Sequence, residues 1–216
     1  MKRLLAIAVF ALIFITTSAQ AADKKWYVSG DLGFSMASDS DLSILGVDFA
    51  EVTFDPGFNI AGALGYDYGS IRAEFELAYH AWGLDEATIP GIIAGVPIPG
   101  CPCSGPIEGD VGIFSYMVNG YYDFQIGDSS IVPYLGGGFG GAYVKGDLGL
   151  GDSDYDAVFA YQLMAGIGYE INSLTILTLG YRYFATTDPG FDLGIGADLE
   201  ATVESHDFNL GVRLMF

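Results

Sequence analysis

Charged side chains that could take part in chemistry recur at alternate positions of one stretch of the chain. Arg72, Glu74 and Glu76 are spaced two residues apart, and His80 follows at the same parity. The positions between them are apolar: Ile71, Ala73, Phe75, Leu77 and Tyr79. Because successive side chains of a β-strand point to opposite faces, this period of two predicts a strand with one polar face and one apolar face. On the polar face, carboxylates, a guanidinium and an imidazole can form ion pairs or pass protons.

Seven more segments between Trp26 and Phe216 alternate in the same way and add charges to their polar faces. The charged residues on these faces are Asp31, Arg72, Glu74, Glu76, His80, Asp123, Glu170, Arg182, Asp207 and Arg213. The rest of each polar face is mostly Gly, Ala and Ser. A secreted barrel of lipocalin type would need a solvated exterior, whereas faces this small fit the crowded interior of an eight-stranded cylinder. The apolar faces would then meet lipid.

The connections between the eight segments alternate in length, which favours the same architecture. We expect tight turns at 67–70, 127–130 and 172–173, and long loops at 38–55, 84–111, 146–156 and 187–205. Short periplasmic turns and long external loops are typical of outer-membrane barrels, and an even strand number places both termini in the periplasm. The sequence therefore predicts an all-β fold: an eight-stranded antiparallel transmembrane β-barrel with up-and-down meander topology.

The first 21 residues have the pattern of a secretory signal peptide, and residues 22–216 would form the barrel domain. Lys2 and Arg3 precede an apolar run from Leu4 to Ile15, which small residues follow. Without Lys2 and Arg3 the chain has six basic and 27 acidic residues, a net charge of −21. That balance excludes nucleic acid as a partner, because phosphate binding needs a basic surface. The expected location is the bacterial outer membrane, with its lipid and lipopolysaccharide as neighbours.

The lumen charges have two interpretations. An isolated buried charge costs several kcal/mol, so these groups must be paired. Three arginines among more numerous carboxylates predict a salt-bridge network that plugs the lumen, and His80 lies beside Glu76. The alternative is that the same groups form a selectivity or proton path. Eight strands leave just enough room for side chains, which favours interior pairing.

An enzyme would need a nucleophile, a base and an orienting carboxylate that converge. The chain has two histidines. Ser205, His206 and Asp207 are contiguous, so their side chains alternate between faces and cannot form a triad by themselves. The pair of His80 and Glu76 has no evident serine beside it. We therefore expect no enzymatic activity and no cofactor.

Two of the predicted loops have unusual compositions. Residues 89–103 are apolar, uncharged and rich in Pro and Gly, which fits either an exposed contact site or a loop folded over the barrel mouth. Within it, Cys101 and Cys103 would reach an oxidising compartment, where they can pair with each other or between molecules.

Asp152, Asp154 and Asp156 are spaced like the start of a calcium loop, but the later Gly and Glu are missing. A solvated acidic loop is the favoured interpretation.

The segments Phe159–Glu170 and Leu179–Phe184, together with a last strand that ends on Phe216, resemble the small outer-membrane β-barrel superfamily. That group includes the opacity proteins, rickettsial-type surface antigens and the OmpA barrel. The resemblance covers the whole mature chain, and its motifs are architectural. It implies a structural or surface-interaction role, such as adhesion or an antigenic surface that meets an external ligand or host surface. The alternatives are a narrow channel for ions or small solutes and a lipid-modifying enzyme.

The resemblance also implies that Phe216 is an assembly signal that the barrel-assembly machinery reads. Deletion of Phe216 should lower the yield of inserted protein in cells, whereas refolding of the purified chain into detergent should suffer less. Outer-membrane fractions and refolding yields of the two chains measure the difference. A normal outer-membrane yield of the truncated chain would contradict the assignment.

Overall fold

The computed structural model describes residues 26–44, 47–93, 95–107, 109–127, 129–147, 155–187, 190–192, 198–200 and 203–216. The predicted signal peptide and the carboxylates of Asp152 and Asp154 lie outside this part of the chain. Regular structure in the described residues is entirely β. They contain no helix that is long and apolar enough to cross a membrane.

Eight long strands form a closed antiparallel ring. They are β1 (Trp26–Ala37), β2 (Gly57–Asp67), β3 (Ile71–Ile89), β4 (Asp110–Asp123), β5 (Ile131–Asp147), β6 (Tyr155–Asn172), β7 (Thr175–Thr186) and β8 (Glu204–Met215). Each strand pairs with the next, and β8 pairs with β1 from Tyr27↔Met215 to Ala37↔Ser205. The N–H of Phe216 donates to the carbonyl of Trp26 at 2.9 Å. The predicted eight-stranded meander is confirmed.

Alternation along the strands separates a polar interior from an apolar exterior. Phe75 on β3 is 51% exposed, whereas its neighbour Glu76 is 2% exposed. The same contrast holds on β8, where Phe208 and Leu210 are exposed and Asp207 is buried. This arrangement is the inverse of a soluble barrel and suits a lipid surrounding. The predicted assignment of faces is therefore confirmed.

Inward-facing glycines make room for large lumen side chains from neighbouring strands. A Cβ at Gly65 would overlap the ring of Tyr27, and one at Gly136 would overlap Tyr121. These collisions explain why the polar faces are rich in glycine. In a cylinder this narrow, a tyrosine on one strand needs an empty position on the next.

Much of the chain that was predicted to be long loops is strand instead. Strand β3 continues past the ring to Ile89, and its extension pairs with Val47–Phe54 on one side and Cys103–Pro106 on the other. Ser40–Ile44 pairs with Val47–Phe54 and with Asp198–Glu200, which pairs with Gly190–Asp192. A short hairpin joins Ile92–Ile93 to Val96–Pro97. Apart from that hairpin, which is a separate two-stranded sheet, these pairings form a second sheet at the end of the barrel that carries the long connections, here called the loop end.

At the opposite end, here called the turn end, the connections are short. In the turn from β2 to β3, Gly69 has a φ of +103°, and its N–H donates to the Asp67 carboxylate at 2.6 Å. Trp26 and Tyr66 pack edge to face at the rim, with ring centroids 5.0 Å apart. Aromatic residues at this level are typical of the boundary between hydrocarbon and headgroups.

The fit between Gly65 and Tyr27 is testable with a matched pair of substitutions on β2. Gly65→Ala should destabilise the barrel by about 1–3 kcal/mol, because the added methyl group displaces the Tyr27 ring. Gly62→Ala is the control, since a Cβ there has 3.9 Å to the nearest atom and faces outward. Urea unfolding of both variants in lipid vesicles, followed by tryptophan fluorescence, measures the difference. Equal stability of the two variants would contradict the proposed fit.

Candidate functional site: the barrel lumen

Arg72 anchors a cluster of polar side chains near the turn end of the lumen. Its Nε and Nη2 atoms bind both carboxylate oxygens of Asp123 on β4, at 2.7 and 3.1 Å. Its Nη1 lies 3.1 Å from both Glu74 Oε1 and the Tyr27 hydroxyl, which itself donates to Glu74 at 2.6 Å. The guanidinium packs over the Tyr121 ring at 4.3 Å. Bidentate pairing and stacking on an aromatic ring are geometries that arginine provides and lysine does not.

Arg213 joins this cluster from another part of the wall. Its Nη1 lies 3.6 Å from Asp123 Oδ2, so Asp123 lies between two guanidinium groups. Their shared partner Asp123 is on β4, which is next to β3 and opposite β8 in the ring. Arg72 thus pairs with the adjacent strand, and Arg213 reaches across the lumen.

A second ion pair crosses the middle of the lumen. Arg182 Nη2 on β7 donates to Glu76 Oε2 on β3 at 2.9 Å, and these two strands lie opposite each other in the ring. Gln162 on β6 donates to the other oxygen of Glu76 at 3.1 Å and to Asn119 Oδ1 at 2.8 Å. Asp31 is half-buried on the wall and accepts from the Thr178 hydroxyl at 3.4 Å. The middle layer therefore links strands that share no backbone hydrogen bonds.

A third group lies towards the loop end. His80 Nε2 is 3.0 Å from Asp207 Oδ2, and the Ser35 hydroxyl donates to the other oxygen of Asp207 at 2.5 Å. Trp82 Nε1 donates to Ser35 at 3.0 Å. The predicted pairing of His80 with Glu76 is wrong, because Glu76 binds Arg182 and His80 reaches β8. The alternation along a strand predicts which face a residue lies on, but it does not predict which side chains meet across the lumen.

An apolar layer covers this group at the loop end, and sequence reasoning did not anticipate it. The His80 ring stacks on Trp82 and on Phe184, with centroid distances of 5.5 and 4.8 Å. The layer consists of Trp82, Ile113, Met117, Ala142, Val144, Ala160, Phe184 and Val203, all buried. Their inward parity was visible in the sequence. The signal that would have revealed the layer is that the inward positions change from charged to apolar along β3, β4 and β7.

The structure does not bring all the predicted lumen residues together. Glu170 is exposed at the turn-end rim of β6, so its assignment to the interior network is wrong. It lies beside a β-bulge where the β6–β7 register shifts, at the mouth rather than inside. His206 faces outward and bonds to the Tyr181 hydroxyl at 2.7 Å. Cys101 and Cys103 are joined by a disulfide at the loop end.

Ser35, Asp207 and His80 together resemble the composition of a hydrolytic triad but not its geometry. In a triad the histidine accepts the proton of the nucleophilic hydroxyl, and the carboxylate holds the far side of the imidazole. Here Asp207 lies between the serine and the histidine, and it accepts the hydrogen bond from the serine. All three side chains are fully buried. The arrangement orients the three groups and connects β1, β3 and β8.

A closed ring of eight strands, an apolar outer surface and a lumen filled with polar side chains define a small outer-membrane β-barrel. The chain belongs to the family described as outer membrane protein beta-barrel domain, whose profile matches residues 5–216. It is therefore an outer-membrane protein, and by the rule for such barrels its turn end faces the periplasm and its loop end faces outward.

Similar proteins occur in several bacteria. An uncharacterised protein of Brucella suis biovar 1 is 27% identical over 234 residues, covering 85% of this chain and 82% of the relative. Outer membrane protein PagN of Salmonella typhimurium is 23% identical and covers both chains fully. The crystal structure of Neisserial surface protein A superposes with a TM-score of 0.58 at 22% identity, covering 88% of this chain and 97% of that one. The last of these supports the fold.

The Arg72 cluster makes a specific prediction about stability. Arg72→Ala should destabilise the barrel by about 3–5 kcal/mol, because Asp123 and Glu74 would lose their buried partner. Arg72→Lys should recover part of the loss, since it restores the charge but not the bidentate geometry. Urea unfolding in lipid vesicles gives the free energies. If the lysine variant had the same free energy of unfolding as wild type, the bidentate geometry would not contribute to stability. If the alanine variant had the same free energy as wild type, the cluster would not stabilise the barrel.

Proposed function

We propose that this protein is a closed outer-membrane scaffold that presents a structured surface outside the cell. Its role in this proposal is structural or surface-interacting, as in envelope integrity, adhesion or an antigenic surface. The observation that carries the proposal is that successive layers of buried side chains occupy the lumen. The Arg72 cluster fills the turn end, the pair of Arg182 and Glu76 crosses the middle, and the stack of Trp82 and Phe184 covers the loop end.

The second sheet at the loop end supports the surface role. Strand β3 extends beyond the ring and carries Val47–Phe54 and Cys103–Pro106 as neighbours, so part of the external chain has a defined shape. A surface held by backbone pairing loses less conformational entropy on binding than a flexible loop. The likeness to a protein named Neisserial surface protein A agrees with this role.

An enzymatic function has little support from the geometry. The Ser35 hydroxyl, which shares Asp207 with the buried imidazole of His80, is hydrogen-bonded to that carboxylate and lies inside the wall. Contacts with lipopolysaccharide, and recognition of Phe216 by the barrel-assembly machinery, stay predictions of the family resemblance. Phe216 is exposed at the turn end, where such recognition requires it.

A narrow path for protons or water is the second candidate, and one observation favours it. Within the described residues, both polar side-chain atoms of Asn59 and the Nε and Nη1 atoms of Arg182 are buried without a hydrogen-bond partner. Buried polar groups are usually satisfied by protein or ordered water. The lumen from the level of Arg182 to that of Asn59 and His80 is therefore polar enough to hold water, even though side chains cross it.

Planar-bilayer recordings decide between the closed scaffold and the channel. Wild-type protein should give no resolved single-channel steps. The double substitution Trp82→Ala and Phe184→Ala should produce a leak, because it removes the large side chains of the apolar layer. Phe208→Ala is the control, since that side chain is apolar and aromatic but faces lipid. Steady, large and selective currents from the wild type would overturn the scaffold and establish the channel.

A further inference from the structure

We propose that the loop end binds a cationic, amphipathic polypeptide through an apolar hairpin set within an acidic surface. The apolar hairpin comprises the described residues of 89–103, and the acidic surface comprises exposed carboxylates on and beside the extension of β3 that carries it: Glu51, Asp55, Asp85 and Asp110. This inference rests on the proposed surface role and names the chemistry of its partner. Two independent observations carry it: the exposure of the hairpin and the sign of the charge around it.

Three large apolar side chains of the hairpin are exposed. Ile92 and Val96 are 62% and 60% exposed, and Ile89 is also exposed. Of the two earlier interpretations of this segment, the exposed contact site therefore fits, because a loop folded over the mouth would bury these residues. Residues 87–107 contain no charged side chain. An exposed, uncharged apolar segment of this kind marks a contact site.

The base of the apolar hairpin is fixed in several ways, so the hairpin has a defined orientation. The N–H of Ile98 donates to the Gly91 carbonyl at 2.8 Å, and a disulfide joins Cys101 to Cys103. Cys103–Pro106 then pairs with Glu86–Ile89 of β3. The hairpin is thus continuous with the barrel wall. A fixed apolar projection binds with a smaller entropic cost than a mobile loop.

The connections at the loop end are strongly acidic in sequence. Segments 38–56, 84–110, 144–156 and 187–204 contain five, four, four and five acidic residues, and one basic residue, Lys145. Asp85 and Asp110 flank the hairpin in sequence, and both are exposed, as are Glu51 and Asp55. The three arginines that follow the signal region lie inside the lumen and do not offset this charge.

An apolar hairpin beside an acidic surface restricts the chemical class of the partner. Lipid headgroups with net negative charge and the phosphates of lipopolysaccharide would be repelled by the carboxylates. A neutral bilayer would accommodate the apolar side chains of the hairpin. The surrounding carboxylates, however, would lose hydration water without gaining a charged partner. A polypeptide that carries both Lys or Arg and apolar side chains satisfies both features. Its association should be steered by charge and should weaken as salt screens that charge.

The test uses the full mature chain in phosphatidylcholine nanodiscs and a fluorescent 18-residue amphipathic peptide of Leu and Lys, with empty nanodiscs as the blank. Wild type should bind the peptide above the blank, and added NaCl should weaken binding. Ile92→Ser with Val96→Ser should weaken it at least tenfold. Ile126→Ser is the matched control, because Ile126 is 59% exposed at the turn end and should leave binding unchanged. Asp85→Asn with Asp110→Asn should weaken binding and reduce its dependence on salt.

Several results would overturn the inference. These are no binding above the blank, equal effects of the hairpin and Ile126 variants, or binding that salt leaves unchanged. Hairpin-dependent capture of phosphatidylcholine vesicles, or hairpin-dependent dimerisation, would assign the surface to lipid or to a second copy instead. Bilayer recordings on the same preparation separate the two proposals. Loss of peptide binding with a silent barrel overturns only this inference, whereas channel currents with intact binding overturn only the closed scaffold.

Discussion

The structure depends on one constraint: a barrel of eight strands in lipid has to place its polar side chains in a cylinder barely wider than those side chains. Lipid cannot satisfy polar groups, so the outer face is apolar and the ring must be closed. The interior then has to be filled without collisions. Tyr27 lies over Gly65, and Tyr121 lies over Gly136, because each large side chain needs a neighbour without a Cβ. The high glycine content and the paired charges are both consequences of that limited width.

Strand β3 is the element through which most of the interior is connected. Arg72 binds Asp123 on β4, Glu76 binds Arg182 on β7, and His80 binds Asp207 on β8. Two of these partners are on strands that share no backbone hydrogen bonds with β3. Buried ion pairs contribute little net stability, since desolvation offsets their attraction, but breaking one is costly. Their main effect here is to make alternative registers unfavourable, because a shift of one residue would move every charge to the lipid face.

The period of two was sufficient to predict the eight strands, their faces and their closure, because alternation is enforced at every position of a wall between lipid and lumen. It could not predict contacts across the lumen. His80 and Asp207 are 127 positions apart, and their meeting depends on the shear of the ring. The second sheet was missed for a different reason. Register shifts between Leu42 and Ser43, and between Thr53 and Phe54, interrupt the alternation that would have revealed those strands. Glu170 was misplaced because parity alone cannot distinguish the interior from the rim.

The lumen and the outer surface are linked through the distribution of charge. The arginines of the barrel, Arg72, Arg182 and Arg213, are all buried, where they compensate interior carboxylates. The external segments are left with many carboxylates and Lys145. Like charges in such segments repel one another, which would favour an extended and disordered exterior. Backbone pairing to the extension of β3 opposes that repulsion for Val47–Phe54 and Cys103–Pro106. The wall of the barrel thus sets both how the interior charges are paired and how part of the outer chain is held.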